Sequence, residues 1–106
     1  MQSTTKEIGM NKANVEHIFP QNAGAAWPNR TQLQPYVWHI GNLTILGKRI
    51  NAKAQNKSFA DKCKDHYSKS EVVMTRELLN VGRAWDEATI RSRAEKLAKL
   101  LVKHWP

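Results

Sequence analysis

The sequence predicts an α+β fold, a strand, a second strand and a helix followed by further helices, and three observations carry that expectation. Two short runs, residues 13–20 and 36–46, are rich in β-branched and aromatic residues and are closed by Pro20 and Gly47. From Gly47 onward, apolar residues recur at helical spacing. The 106 residues, with four Trp, two Tyr and two Phe among them, suffice for one modest core and hence one domain.

Residues 1–12, MQSTTKEIGMNK, are polar and without period, which predicts a loose N-terminal arm. A short strand follows over 13–20 and stops at Pro20, since proline cannot donate to a ladder. Residues 22–35 form a long loop anchored by Trp27. The run 36–46, YVWHIGNLTIL, is interrupted by Gly41-Asn42 and predicts a second strand or a bulged hairpin. KRINAKA fits one short helix. Ser58 with Asp61 three positions on marks the start of another, carrying Phe59, Cys63 and Tyr67 on one face. Thr75 can cap a helix bearing Leu78, Leu79 and Val81 and stopped at Gly82. Asp86 can cap a longer one, with Trp85 and Ile90 as a hydrophobic staple and Ile90, Ala94, Leu97 and Leu101 as its buried stripe. The ββα core thus covers about 13–66 and a helical extension about 70–106.

The formal charge is +8, and its distribution is more telling than its size. Between residues 8 and 60 the sole carboxylate is Glu16, while Lys12, Arg30, Lys48, Arg49, Lys53 and Lys57 share the stretch. A basic surface of this kind suits a polyanion such as nucleic acid. A surface that only holds phosphates gains nothing from a glutamate, whereas one that cuts them can use a carboxylate to hold a divalent cation. The adjacent His17 offers a base of near-neutral pKa to activate water. In a regular strand the two side chains point to opposite faces, so both serve one site only where the strand ends or bulges. Asn42, Asn51 and Asn56 follow in residues 41–57, and an amide oxygen is a hard ligand suited to Mg²⁺. Lys48, Arg49, Lys53 and Lys57 are spaced to meet a phosphate backbone.

The single Cys63 excludes an internal disulfide and a multi-cysteine zinc site. With no signal-peptide pattern and no long apolar run, a reducing cytoplasm is the expected compartment and no membrane is expected. His39 reads as a packed strand histidine, Trp27 as a loop anchor, and Trp85 and Trp105 as core. His66 and His104 carry no assigned role. Arg91, Lys96, Lys99 and Lys103 read as the solvated face of the last helix.

E-H-I-F-P-Q, then N-L-T-I-L, then Asn51 nine residues after Asn42, resembles the HNH or ββα-metal nuclease signature. The longer pattern over residues 14–106, from VEHIFPQN through IGNLTILGKRINAKAQNKSFADK to W-D-E-A-T-I-R-S-R and a closing W-P, is similar to the C-terminal nuclease domain of GmrSD-type modification-dependent restriction enzymes. The resemblance implies a ββα-metal core and a metal-dependent endonuclease that nicks DNA. His17 would be its general base, Asn42 the residue that fixes the loop and orients His17, and Glu16 and Asn51 the ligands of one Mg²⁺ or Mn²⁺. Asn56 matches a family position without an assigned role. Glu16 stands where the wider superfamily usually carries Asp or His, and is a methylene longer than Asp. The resemblance also implies an N-terminal sensor or nucleotide-binding partner and a place in phage defence. Two other classes fit the same residues: a basic module that binds nucleic acid without cutting it, and a ribonuclease.

Overall fold

The computed structural model describes residues 13–47, 57–82 and 84–104. The expected arm over 1–12, the short helix at KRINAKA and Trp105 lie outside the described residues. The fold is α+β. Strand β1 (Ala13–His17) pairs antiparallel with β2 (Leu43–Gly47) in a two-stranded sheet, with Glu16 opposite Thr44 and His17 opposite Leu43. The helices are α1 (Arg30–Leu33), α2 (Phe59–Asp65), α3 (Val73–Arg76) and α4 (Glu87–His104).

The first strand is shorter than its apolar run. Ile18 and Phe19 have left the ladder and are wholly buried, forming a core with Trp27, Leu33, Val37, Leu46, Tyr67, Leu78, Trp85 and Ile90. Residues 36–42 depart from the expected strand. Chain from α1 continues as a 3₁₀ turn, Gln34–Tyr36, with Pro35 in its first turn, and a second turn spans Ile40–Asn42. Within this stretch Val37 enters the core while Trp38 and Ile40 stay exposed, and the Nδ1 of His39 accepts from the Gly41 N–H at 3.1 Å to cap the second turn. Tertiary demands outweigh strand propensity here.

The helix ends follow local chemistry more closely. Ser58 Oγ accepts from the Asp61 N–H at 3.2 Å at the start of α2, and Asp86 Oδ1 accepts from the Thr89 N–H at 2.9 Å at the start of α4. Trp85 and Ile90 are both buried, as a staple requires. Gly82 takes φ 66°, the left-handed conformation that ends a helix. Thr75, expected as a cap, instead lies inside α3. Its hydroxyl donates to Ile45 O at 2.6 Å and meets Thr44 Oγ1 at 2.8 Å, tying α3 to β2. Of the expected stripe on α4, Ile90 is buried and Ala94 and Leu97 are half-buried.

Helix α4 is pinned to the turn before β2. A Cβ at Gly41 would come 1.9 Å from Ile90 O, so only glycine permits this approach. Arg93 donates from one Nη1 to Gly41 O at 3.0 Å and Leu43 O at 2.7 Å. No helix among the described residues is long and apolar enough to cross a membrane.

Candidate active site at the end of β1

His17 closes β1 and is half-buried. Its Nδ1 lies 2.8 Å from Val37 O. A carbonyl oxygen can only accept, so Nδ1 carries the proton and the neutral ring keeps its lone pair on Nε2. The Trp38 indole, 67% exposed, meets the imidazole edge-on with ring centroids 4.4 Å apart.

Asn42 organises the surroundings of that bond. Its Nδ2 donates to Val37 O and to Phe19 O, both at 3.0 Å, and its Oδ1 accepts from the Phe19 N–H at 2.8 Å and the Trp85 Nε1–H at 2.9 Å. Its backbone carbonyl accepts from Ile18 N at 2.8 Å. The side chain is fully buried and uses both donors and both acceptor positions. The same Val37 carbonyl thus receives Asn42 and His17, and the chain just after His17 is laced to the turn before β2.

Glu16 has a different environment. Its carboxylate is buried, and Oε2 accepts from Lys62 Nζ at 2.8 Å and from Tyr67 OH at 2.7 Å. Burial is the chief influence on both partners. It lowers the Lys62 pKa against the opposing pull of Glu16, and raises the Tyr67 phenol well above its ordinary value, with the carboxylate adding to the rise. Tyr67 therefore remains a donor. Glu16 and His17 reach different partners from adjacent positions, Lys62 on α2 and Tyr67 just beyond it in one case and Val37 in the other.

Among the described residues, Glu16 Oε2 is committed to Lys62 and Tyr67, a setting that does not suit a divalent ion on that oxygen. An Mg²⁺ ion sits about 2 Å from its oxygen ligands, which on this carboxylate would bring it up against the Lys62 ammonium. Among the described residues no group of three or more His, Cys, Asp or Glu is placed to hold a metal. Asn51, Asn56, Lys48, Arg49 and Lys53 lie outside the described residues; Lys57 is exposed, and its carbonyl accepts from the buried Trp27 indole at 3.0 Å. Trp27 is therefore a loop anchor, its ring 5.2 Å from that of Phe19.

Lys62, Tyr67, Val37 and Trp38 were absent from the expected site. Lys62 reads in sequence as one more solvated lysine of an amphipathic helix, and nothing local announces a partner 46 residues earlier.

A histidine at a strand end and a buried asparagine that fixes the neighbouring turn are what the structure brings together here, and comparison with known families gives the class, a nuclease domain of the restriction-endonuclease type. The family model for the C-terminal domain of GmrSD restriction endonucleases matches residues 1–100, and the chain belongs to that family. No curated protein and no solved structure matches the chain significantly.

Proposed function

We propose that the chain is a DNA endonuclease that hydrolyses phosphodiester bonds one strand at a time, with His17 as general base. The observation that carries this reading is the Val37 carbonyl shared by His17 Nδ1 and Asn42 Nδ2, which holds the ring in the tautomer whose Nε2 can take a proton. Water oxygen forms a bond to phosphorus as its proton passes to Nε2. The bond from phosphorus to the 3′ oxygen breaks on the opposite side, and that oxygen takes a proton from solvent, leaving 5′-phosphate and 3′-hydroxyl ends. One such site cuts one strand, so the product of a single encounter is a nick.

DNA as substrate follows from the restriction-enzyme family, as does an N-terminal sensor domain or subunit that chooses where to cut. The basic residues Lys48, Arg49, Lys53 and Lys57 would meet the backbone phosphates, making binding steeply salt-dependent. A bound Mg²⁺ or Mn²⁺ would offset charge on the pentacoordinate phosphate.

The test is supercoiled plasmid incubated with wild type and with His17→Ala, each in Mg²⁺, Mn²⁺ or EDTA. Wild type should convert it to open circles, and the variant should be slower by about 10²–10⁴-fold with its fold intact. Equal nicking by the two would refute His17 as base. Salt-sensitive binding without nicking would make the chain a binding module, and cleavage confined to RNA would make it a ribonuclease.

A further inference from the structure

The hydrolytic scheme leaves unused the most deeply buried charge among the described residues. Lys62 is 0% exposed, yet its Nζ makes three hydrogen bonds: to Glu16 Oε2 at 2.8 Å, His17 O at 3.0 Å and Ile18 O at 3.0 Å. Three acceptors match the three N–H donors of an ammonium, whereas a neutral amine would leave one of them without a proton. A carboxylate with two backbone carbonyls is the oxygen set that hard cations take, but the separations are those of N–H···O bonds and the cation is part of the chain.

The three acceptors come from consecutive residues, 16 to 18, and the middle one carries the candidate base. On the other side, Asn42 accepts from Ile18 N and Phe19 N. The backbone at His17 is therefore held twice, from α2 by Lys62 and from the turn before β2 by Asn42. The direction of the imidazole towards Val37 O depends on that backbone.

We propose that Lys62 is a positioning residue for hydrolysis, a built-in cation that grips Glu16 and the carbonyls of His17 and Ile18 and so sets the direction of the His17 ring. Glu16 is the anchor of this clamp and not the ligand of a divalent ion. The effect on rate rests on the nuclease reading; the effect on the imidazole does not.

Long-range ¹H–¹⁵N spectra of the histidine rings test the clamp directly, in wild type, Lys62→Met and the double variant Glu16→Gln/Lys62→Met. Wild-type His17 should be in the Nδ1–H tautomer, and both variants should show a mixture. The double variant buries no charge, so it keeps the test open where Lys62→Met alone fails to fold. Plasmid nicking should lose about 10–100-fold in kcat with KM for DNA nearly unchanged. In Glu16→Gln, the concentration of Mg²⁺ or Mn²⁺ giving half-maximal rate should stay within about twofold of wild type. A rise of about tenfold or more there, in a folded variant, would make Glu16 a metal ligand and overturn the proposal. So would an unaltered His17 tautomer in the folded double variant, or failure of that variant to fold, either of which would leave the pair a purely structural role. A tautomer shift in the variants of a protein whose wild type cuts nothing would keep the clamp and discard the nuclease reading.

Discussion

Two neighbouring residues of β1 are held by opposite kinds of chemistry. Around His17 and Asn42 the partners are amides, carbonyls and an indole, all neutral, and the network keeps the Nε2 lone pair of one ring in reserve. Around Glu16 they include an ammonium and a phenol, and the ammonium uses every donor it has. The neutral side sets the direction of the His17 ring, while the ionic side holds the backbone beneath it.

The neutral side can be broken most severely at Asn42. Asn42→Ala orphans the Phe19 N–H and the Trp85 Nε1–H together, at about 1–3 kcal/mol each, so urea unfolding should show a loss of roughly 3–5 kcal/mol. A loss below about 1 kcal/mol would mean that water replaces the amide and that the network is less dry than its burial suggests.

Gly41→Ala attacks the support beneath that side. The added methyl carbon meets the backbone of Ile90, so α4 must shift, at about 1–3 kcal/mol. The melting temperature should fall by several degrees, with nicking falling further than stability alone explains. An unchanged melting temperature would show that α4 yields freely.

The mildest probe reports on the ionic side. Cys63 follows Lys62 on α2, and burial pushes its thiol up to about 11 from an ordinary 9.0. Iodoacetamide should therefore label it far more slowly at pH 8 than it labels a small free thiol, since the thiolate is the nucleophile. Because the folded pKa lies above the unfolded one, the thiol's contribution to stability is whole below pH 9 and is lost as pH rises towards 11. Labelling at the rate of an exposed thiol would mean that water reaches α2 beside the pair.

What the sequence disclosed was local. Ser58 with Asp61, Asp86 with Thr89, the Trp85 and Ile90 staple and the φ of Gly82 are all set within five residues, and each stands where its pattern placed it. The Glu16-His17 pair was conspicuous for a similar reason, two ionisable groups in an apolar run. Residues 36–42 depart from the strand their composition predicts because composition alone cannot see Ile90 closing on Gly41 or Asn42 turning inward to Phe19. Lys62 was illegible because its three acceptors lie more than forty positions away. The significance of Asn42 came from family resemblance, since an asparagine after glycine otherwise reads as an ordinary turn.

The contact between Gly41 and Ile90 also bears on how small this enzyme domain can be made. A tool-builder wanting a compact cutter would keep the hairpin and the next helix and discard everything after residue 82 as decoration. That cut would remove the indole that caps Asn42, the guanidinium that bridges Gly41 and Leu43, and the helix against which the turn rests. The economical unit is therefore the longer one: the start of the last helix is scaffolding that the sheet's preceding turn has already been shaped to lean on.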